Sequence, residues 1–449
     1  MVIKSFIESI GKELSRTVHI APLIVYRIVF GFALAYSAIR MIVQDRIAFN
    51  YDTKVKFPFY GFEWIKPLPY DWYLPLFLLL AFCGIAICVG FFYRFFSIVH
   101  FVVFTYLELI DKSYYLNHYY FVSLMSFLHI FLPSGKFFSI DSWLFPKILV
   151  THVPQWVVWI VKGQIAIVYV YAGLCKINSD WLLSAQPLKI WLPARDDIFV
   201  IGPLLRFEIT AYVFSWLGMI YDITIPFWLS WKRTCYGAYL VVLIFHTITG
   251  LLFPIGIFPL VMSLGALVFF PEKFHVNFLK KLSFSKQNFT TQVNLNLSYF
   301  RLKSLKIFLG IYFIFQILFP WRYLLYPGRL FWHDQGFRFS WRVMLVEKFA
   351  HAQFMLVHPN GHVNYVDNAQ FLKNWQEVQM SFQPDFIIQY AHFLADYYEP
   401  ILGFRPQVKA DVKIGVNGRP MTQYFSPNLD LTKINDGWQP RNWLYPAPW

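Results

Sequence analysis

Pro154-Gln-Trp-Val-Val-Trp-Ile-Val-Lys-Gly-Gln-Ile-Ala-Ile-Val-Tyr-Val-Tyr-Ala-Gly-Leu-Cys-Lys176 is a long, mostly apolar run that stops on a lysine. A helix needs about 20 such residues to cross the ~30 Å hydrocarbon layer of a bilayer. The rest of the chain has the same character. Of its residues 57% are hydrophobic, 21% aromatic and only 14% charged, where a soluble protein carries about 25% charged residues. Fifty Phe, 28 Tyr and 17 Trp exceed what a water-soluble core of this size can hide. Disorder, a coiled coil and a disulfide scaffold are excluded, which leaves an integral membrane protein.

Outward from 154–176, the sequence holds about nine comparable runs, at 21–42, 72–92, 95–113, 118–133, 154–176, 209–230, 236–252, 254–271 and 304–322. The run at 118–133 is short, and Phe253-Pro254 with Gly256 reads as a break that makes 236–271 one interrupted element. The net charge of +14 is read as Lys and Arg in loops beside spans, not as a nucleic-acid footprint. With the N-terminus inside, the inner segments hold more basic residues (Lys4 and Lys286 among them) than the outer ones, and the dense basic stretch 273–306 falls inside. Ile3, Phe6, Ile7, Ile10 and Leu14 form a helical stripe with Lys4, Lys12 and Arg16 off it. That pattern suits a helix lying on the membrane surface, not a signal peptide. Cys83, Cys88, Cys175 and Cys235 have neither metal-ligand nor disulfide spacing.

Beyond residue 323 no run is long and apolar enough to span. Gln353–Val366 places two extended runs around Pro359-Asn360-Gly361, and the stretch from Val412 turns at Asn417-Gly418. Asn-Gly between alternating apolar residues predicts a hairpin, because both turn positions favour positive φ. Phe386, Ile387, Tyr390, Ala391 and Leu394 recur at helical spacing between the hairpins. The expected fold is an α-helical polytopic membrane bundle of about eight or nine spans (1–322), followed by a β-rich extracytoplasmic domain (323–449).

Ionisable side chains inside spans are costly and persist when paired or functional. Arg27 and Asp222 both fall in the inner half of the bilayer, so a structural ion pair between them is expected. On the outer side Asn117-His118 opens one span, Lys176 closes another, and His246 sits near the outer end of a third. Each has an ordinary reading alone: Lys176 reaching to the headgroups, each histidine hydrogen-bonding its neighbours. Together they bring an amide, an imidazole and an amine to the boundary that carries the β-rich domain. A lipid-soluble reactant and a peptide from water can meet there, and an amine in a partly desolvated place is a candidate general base.

Leu109-Ile-Asp-Lys-Ser-Tyr-Tyr-Leu-Asn-His118, Gly163 to Trp181, Phe245-His246 and Leu252-Phe-Pro-Ile-Gly-Ile-Phe258 resemble the vitamin K-dependent γ-glutamyl carboxylases. So do Ser340-Trp-Arg-Val-Met344, Asn364-Tyr365 and Trp438-Gln-Pro-Arg-Asn-Trp443. The resemblance runs in order from about residue 20 to the end, and its membrane part is shared with the wider HTTM (horizontally transferred transmembrane) superfamily. It implies an enzyme that uses reduced vitamin K (phylloquinol or menaquinol), O2 and CO2, with no metal required. The lysine matching Lys176 deprotonates the quinol, held by residues matching Asn117 and His118. The oxygenated quinone becomes a strong base, takes the γ-proton of a glutamyl side chain, and leaves as its epoxide while CO2 adds to the carbanion. His246 and Tyr365 match positions near the reacting groups. A γ-carboxylate C–H is too weak an acid for any side chain, so the base must be made in a water-poor pocket. The implied partners are the lipid bilayer, a glutamyl peptide or protein acceptor and a quinone reductase for recycling.

This sequence departs from the animal enzymes in four ways. Cys175 stands where they have a second lysine. Glu347 falls where they have a histidine, with His351 one helical turn on. Their disulfide has no equivalent, and the chain stops at Trp449 without their long C-terminal part. A compact bacterial-type relative in an inner membrane is expected, without propeptide-docked, processive carboxylation. Two other readings compete. A catalytically degenerate HTTM protein binding a lipid or partner predicts loss of the Asn-His and Lys elements, and both are present. A lipid-linked glycosyltransferase would use Asp45 or Asp52 in the first outer loop, where solvated loop charge is the commoner explanation.

Overall fold

The computed structural model describes residues 2–199, 201–283, 289, 291–296 and 298–449, without the side chains of residues 2–7, 10 and 299. The stripe residues Ile3, Phe6, Ile7 and Ile10 and the loop charges Lys4 and Lys286 lie outside the described side chains. Helix α1 (Val2–Ser15) leads into strand β1 (Thr17–His19), which pairs antiparallel with β2 (His152–Pro154).

The membrane region then runs through α2 (Ala21–Val43), α3 (Tyr73–Val89), α4 (Tyr93–Leu109), α5 (Asn117–His129) and α6 (Gln155–Cys175). It continues with α7 (Glu208–Ser230), α8 (Cys235–Leu252), α9 (Phe258–Ala266), α10 (Glu272–Leu282) and α11 (Tyr299–Leu318). Among the described residues, six helical stretches are long and apolar enough to cross a membrane: 21–43, 70–89, 155–175, 208–230, 235–252 and 300–325. The other three expected spans form the shorter α4, α5 and α9, of 17, 13 and 9 residues. At ~1.5 Å per residue, α5 and α9 fall well short of the bilayer core. The break expected at Phe253–Gly256 is present: α8 stops at Leu252, and Gly256 has φ +63°.

The bundle is held by close helix contacts rather than by a solvent-driven core. A Cβ on Gly31 of α2 would come within 2.4 Å of the Cys88 nitrogen, and one on Gly84 of α3 within 2.5 Å of the Ala35 nitrogen. Reciprocal glycines of this kind let two membrane helices touch backbone to backbone. Outward faces stay apolar, as with Leu240 and Ile244 on α8 and Ile311 and Ile314 on α11, all exposed in the isolated chain.

The C-terminal region is a four-stranded antiparallel sheet in the order β4-β3-β5-β6. Its strands are β3 (Lys348–Val357), β4 (Val363–Tyr365), β5 (Gln407–Val416) and β6 (Thr422–Gln423). Both predicted hairpins form. Asn417 and Gly418 both have positive φ, at +51° and +77°, whereas in the first turn Gly361 does, at +85°, and Asn360 does not. Strand β5 alternates as a half-buried strand should: Val408, Ala410, Val412 and Ile414 are fully buried. They face α13 (Pro384–Leu402), whose predicted stripe Phe386, Ile387, Tyr390, Ala391 and Leu394 is buried; α12 (Asn374–Phe382) packs beside it on β3. This core also takes Val55 and Phe57 from the loop after α2, with the Phe57 and Phe386 rings 4.6 Å apart.

Candidate functional site

Lys176 caps α6, its N–H bonding to the Gly173 carbonyl at 3.0 Å. Asn178 ends the turn and starts the next, its side chain accepting from the Trp181 N–H at 3.0 Å. The Lys176 side chain folds inward. Its Nζ lies 2.6 Å from Asp222 Oδ2 and 3.2 Å from the Ala172 carbonyl, with the Trp181 ring 5.4 Å away. Lysine and aspartate are both buried, at 7% and 5% exposure. They meet because α6 and α7 touch at Gly173, where a Cβ would come within 2.7 Å of the Ile223 nitrogen.

The expected Arg27–Asp222 pair does not form. Arg27 Nη1 donates to the Ser134 carbonyl at 2.8 Å and Nη2 to the Phe138 carbonyl at 2.7 Å, so the guanidinium caps a loop. The reason is helix neighbourhood: α2 packs chiefly on α3, whereas α7 packs on α6. The two charges do not match in depth either: Arg27 is near the start of α2, whereas Asp222 is level with Gly173 near the end of α6, where a Cβ would come within 3.1 Å of Asp222 Cβ. Nor does Lys176 reach to the headgroups. Asp222 lies 222 − 208 = 14 residues into α7, or about 21 Å along it. Residues 179–205 fold back over the first part of α7, where Trp181 Nε1 donates to the Ser215 carbonyl at 2.8 Å and Ser215 Oγ to the Trp181 carbonyl at 2.5 Å. The lysine is roofed.

Under that roof is a cavity of about 90 Å³, walled by Trp181, Trp191, Phe258 and Met344 among other apolar groups. Lys176, Asp222, Tyr169 and His246 supply most of its polarity. His246 Nε2 is 2.9 Å from the Tyr169 hydroxyl, while its buried Nδ1 has no hydrogen-bond partner. A second, larger space of about 760 Å³ runs between α7 and α8 and is almost wholly apolar. It shares Phe214, Gly218, Phe245 and Thr249 with the first and is edged by the exposed Leu217, Ile220, Val241 and Ile244. The cavity thus adjoins a groove on the bilayer-facing surface.

Lys176 and His246 line one cavity, as their convergence predicted. His118 is buried one ring away: Phe258 lies 5.8 Å from His118 and 6.0 Å from His246, centroid to centroid. Asn117 serves the backbone, its Nδ2 donating to the Arg342 carbonyl at 3.0 Å while its Oδ1 accepts from the Tyr115 hydroxyl at 3.0 Å. The structure does not bring Tyr365 to the cavity. It lies on the short edge strand β4, all three of whose residues are exposed, and is itself 71% exposed. His351 is also exposed, on β3, so the helical spacing assumed for it does not apply. Glu347 is closer to the site, since its Oε2 accepts from Trp191 Nε1 at 2.6 Å. Asp45 and Asp52 are exposed and line no part of this cavity.

Sequence reasoning missed Asp222 as the lysine's partner, together with Tyr169, Trp181 and Trp191. One signal was available. Gly173, in a run of bulky residues three before Lys176, marks a close helix approach at that level. It also missed the strain in 334–344, where Asp334, Phe339, Trp341 and Met344 all have φ between +53° and +59°. Such residues cost of order 1–3 kcal/mol each and cluster where a segment must hold a set shape. Here the segment is pinned by Asn117, by the Tyr115 hydroxyl accepting from the Phe339 N–H at 2.7 Å, and by Cys175 Sγ donating to the Ser340 carbonyl at 3.4 Å.

A separate ion network joins the two regions. Lys112, from the α4–α5 connection, lies 2.8 Å from Asp385 at the start of α13, and Arg338 lies 2.7 Å from the same carboxylate. Burial pushes Asp385 up, but Arg338, Lys112 and Arg441 outweigh it and hold the carboxyl well below the usual carboxylate range.

Two families match the sequence. The HTTM domain matches residues 15–274, more than half of the chain, and the vitamin K-dependent gamma-carboxylase lumenal domain matches residues 301–448. No solved structure matches.

Proposed function

The chain belongs to the vitamin K-dependent gamma-carboxylase family within the HTTM superfamily, and from that premise we propose that it is a membrane carboxylase and epoxidase acting on a reduced quinone and a glutamyl side chain. It is an integral membrane protein with an extracytoplasmic domain. The observation that carries the reading is the Lys176–Asp222 pair, buried in an apolar cavity beside a groove that faces lipid.

The residues present fit a quinone. The cavity walls suit an aromatic head, the unpartnered Nδ1 of His246 is free to meet a ring oxygen, and the α7–α8 groove suits an isoprenoid tail arriving from the bilayer. When bound, the reduced quinone with O2 supplies the strong base that no side chain can be. The pair of Lys176 and Asp222 is neutral overall. In its charged form the Lys176 ammonium has no lone pair to offer. With that proton shifted to Asp222 the pair is still neutral, and the Nζ amine can then accept a proton. That leaves an ammonium beside a neutral acid, and one net positive charge to steady a negative charge beside it. We assign Lys176 Nζ as the atom that receives the proton, Asp222 as its partner, and His246 to the binding of the ring, with His118 supporting the Phe258 wall from behind. Asn117 is a positioning residue, holding the 340–344 segment over the cavity. Segment 179–205 and that segment keep water out. The N-terminus is taken as cytoplasmic, in a bacterial inner membrane, with residues 323–449 outside.

The test uses the full chain in lipid nanodiscs with reduced vitamin K or menaquinol, O2, labelled bicarbonate and a glutamyl peptide, beside Lys176→Ala. Epoxide that vanishes in the variant, with label entering the peptide, supports the whole reading. Epoxide without label limits it to the oxygenase half. Folded protein that makes no epoxide from either quinol overturns it in favour of a binding protein.

A further inference from the structure

Behind the roofed lysine is a second pocket of about 200 Å³, which the reaction described above does not use. The same two segments separate the pair of cavities. Lys176 faces the first and Cys175 the second; Val343 and Met344 face the first and Arg342 the second. Arg342 is 93% buried, from 7% exposure, yet no acid or carbonyl accepts from its guanidinium among the described residues, and its Nε has no partner. Its face rests on the Tyr323 ring at 4.4 Å, which leaves the edge of the fork free.

The Nε is buried without a partner while the terminal nitrogens are left to face the pocket, where an anion would satisfy the fork. Its position is fixed, because the Arg342 carbonyl is held by Asn117 and the Ser340 carbonyl by Cys175. Arg329, exposed, adds a second positive charge to the lining. The one acidic side chain there, Asp180, is already neutralised: Arg419 Nη2 lies 2.6 Å from its Oδ1, and Asn417 donates at 2.8 Å. The side chains of the pocket are therefore net positive. A planar carboxylate matches the fork of Arg342 in two parallel hydrogen bonds. Tyr171, Cys175, Trp321 and Tyr323 come from the ends of the membrane-length stretches 155–175 and 300–325, whereas Asn178, Ser179, Asp180 and Trp449 lie beyond them. This polar wall favours an acceptor chain over a lipid phosphate.

We propose that Arg342, with Arg329, forms a docking subsite for a second acidic side chain of the acceptor, one that does not react, while its neighbour enters the Lys176 cavity. The inference rests on the carboxylase reading. The ridge between the pockets is one helix end thick, about 10 Å, and an extended peptide covers that in roughly three residues at ~3.3 Å each. Acceptors with paired acidic residues at about that spacing are the class this chain would select.

The test is a binding measurement that needs no turnover. Dye-labelled peptides carrying either two glutamates three residues apart, or one glutamate and one glutamine, are titrated onto the full chain in phosphatidylcholine nanodiscs. The two-glutamate peptide is expected to bind about tenfold tighter, and Arg342→Gln to reduce that ratio to about one. Arg329→Gln is expected to reduce it in part, and it keeps the test open should the Arg342 variant misfold. A ratio near one in the unsubstituted protein, with epoxidation intact, overturns this inference and leaves the carboxylase reading standing. No binding of either peptide overturns it along with its premise. An equal ratio combined with Arg342-dependent stabilisation by phosphatidylglycerol nanodiscs overturns it and reassigns the pocket to a lipid headgroup.

Discussion

Lys176 Nζ and Asp222 Oδ2 lie 2.6 Å apart, and the two helices bearing them touch where residue 173 has no side chain. An ion pair buried this deeply is poor as a source of stability but severe when half of it is removed.

Lys176→Ala leaves Asp222 without its partner and is expected to cost about 3–5 kcal/mol. The double variant Lys176→Met/Asp222→Leu, which replaces the pair with apolar groups, should regain most of that. Thermal unfolding of the three proteins in one detergent measures the cycle. A double variant as unstable as the single would show that the charges themselves hold the helices.

Gly173→Ala places a methyl group 2.5 Å from Ile223 Cγ1 and 2.7 Å from its nitrogen. The helices must part, and a displaced Lys176 should lower epoxide formation by about tenfold to a hundredfold. Gly310→Ala on α11, with nothing within 4 Å, is the matched control. Equal rates for the two variants would separate catalysis from the α6–α7 contact.

Gly237 faces the α7–α8 groove with open space around it. Gly237→Trp should fill the groove without disturbing the fold and raise the KM for a long-tailed menaquinol about tenfold, as roughly 1.4 kcal/mol of lost tail burial predicts. The KM for tailless menadiol should move much less. A uniform shift for both substrates would mean that the tail takes another route.

Asp385 has a depressed pKa in the folded protein, so its contribution to stability is present above its unfolded value of about 3.9 and is lost as pH falls through the lower folded value. Docking of the extracytoplasmic domain through Asp385 should therefore persist from neutral pH down to about 4. Asp385→Asn should lose it already at pH 7, at a cost of about 3–5 kcal/mol, because Lys112 and Arg338 stay buried. Hydrogen exchange of residues 384–402 across this pH range reads it. Protection in the variant equal to that of the unsubstituted chain at pH 7 would contradict the assignment.

Asn117→Leu removes the donor to the Arg342 carbonyl and should cost about 1–3 kcal/mol. Faster exchange confined to 339–344 would mark it as a positioning residue. Unchanged exchange there, with epoxidation lost, would instead place it on the quinone.

Local pattern carried much of the molecule. The run 154–176, the break at Phe253–Gly256, the turns at Gly361 and Asn417-Gly418 and the stripe Phe386–Leu394 depend on residues near one another in the chain, so the sequence alone determined them. It also pointed to Lys176 and His246, because ionisable and polar groups at the edges of apolar runs are rare and visible. Which charge meets which was beyond it. Counting residues along the spans put Arg27 and Asp222 at one depth, yet the pair that forms is Lys176–Asp222, because both the level and the neighbour of a helix are decided by where small residues let backbones touch. The roof over Lys176, the exposure of Tyr365 and the unpaired guanidinium of Arg342 arise in the same way. Each depends on segments far apart in the chain packing against one another, a relation that no local period encodes.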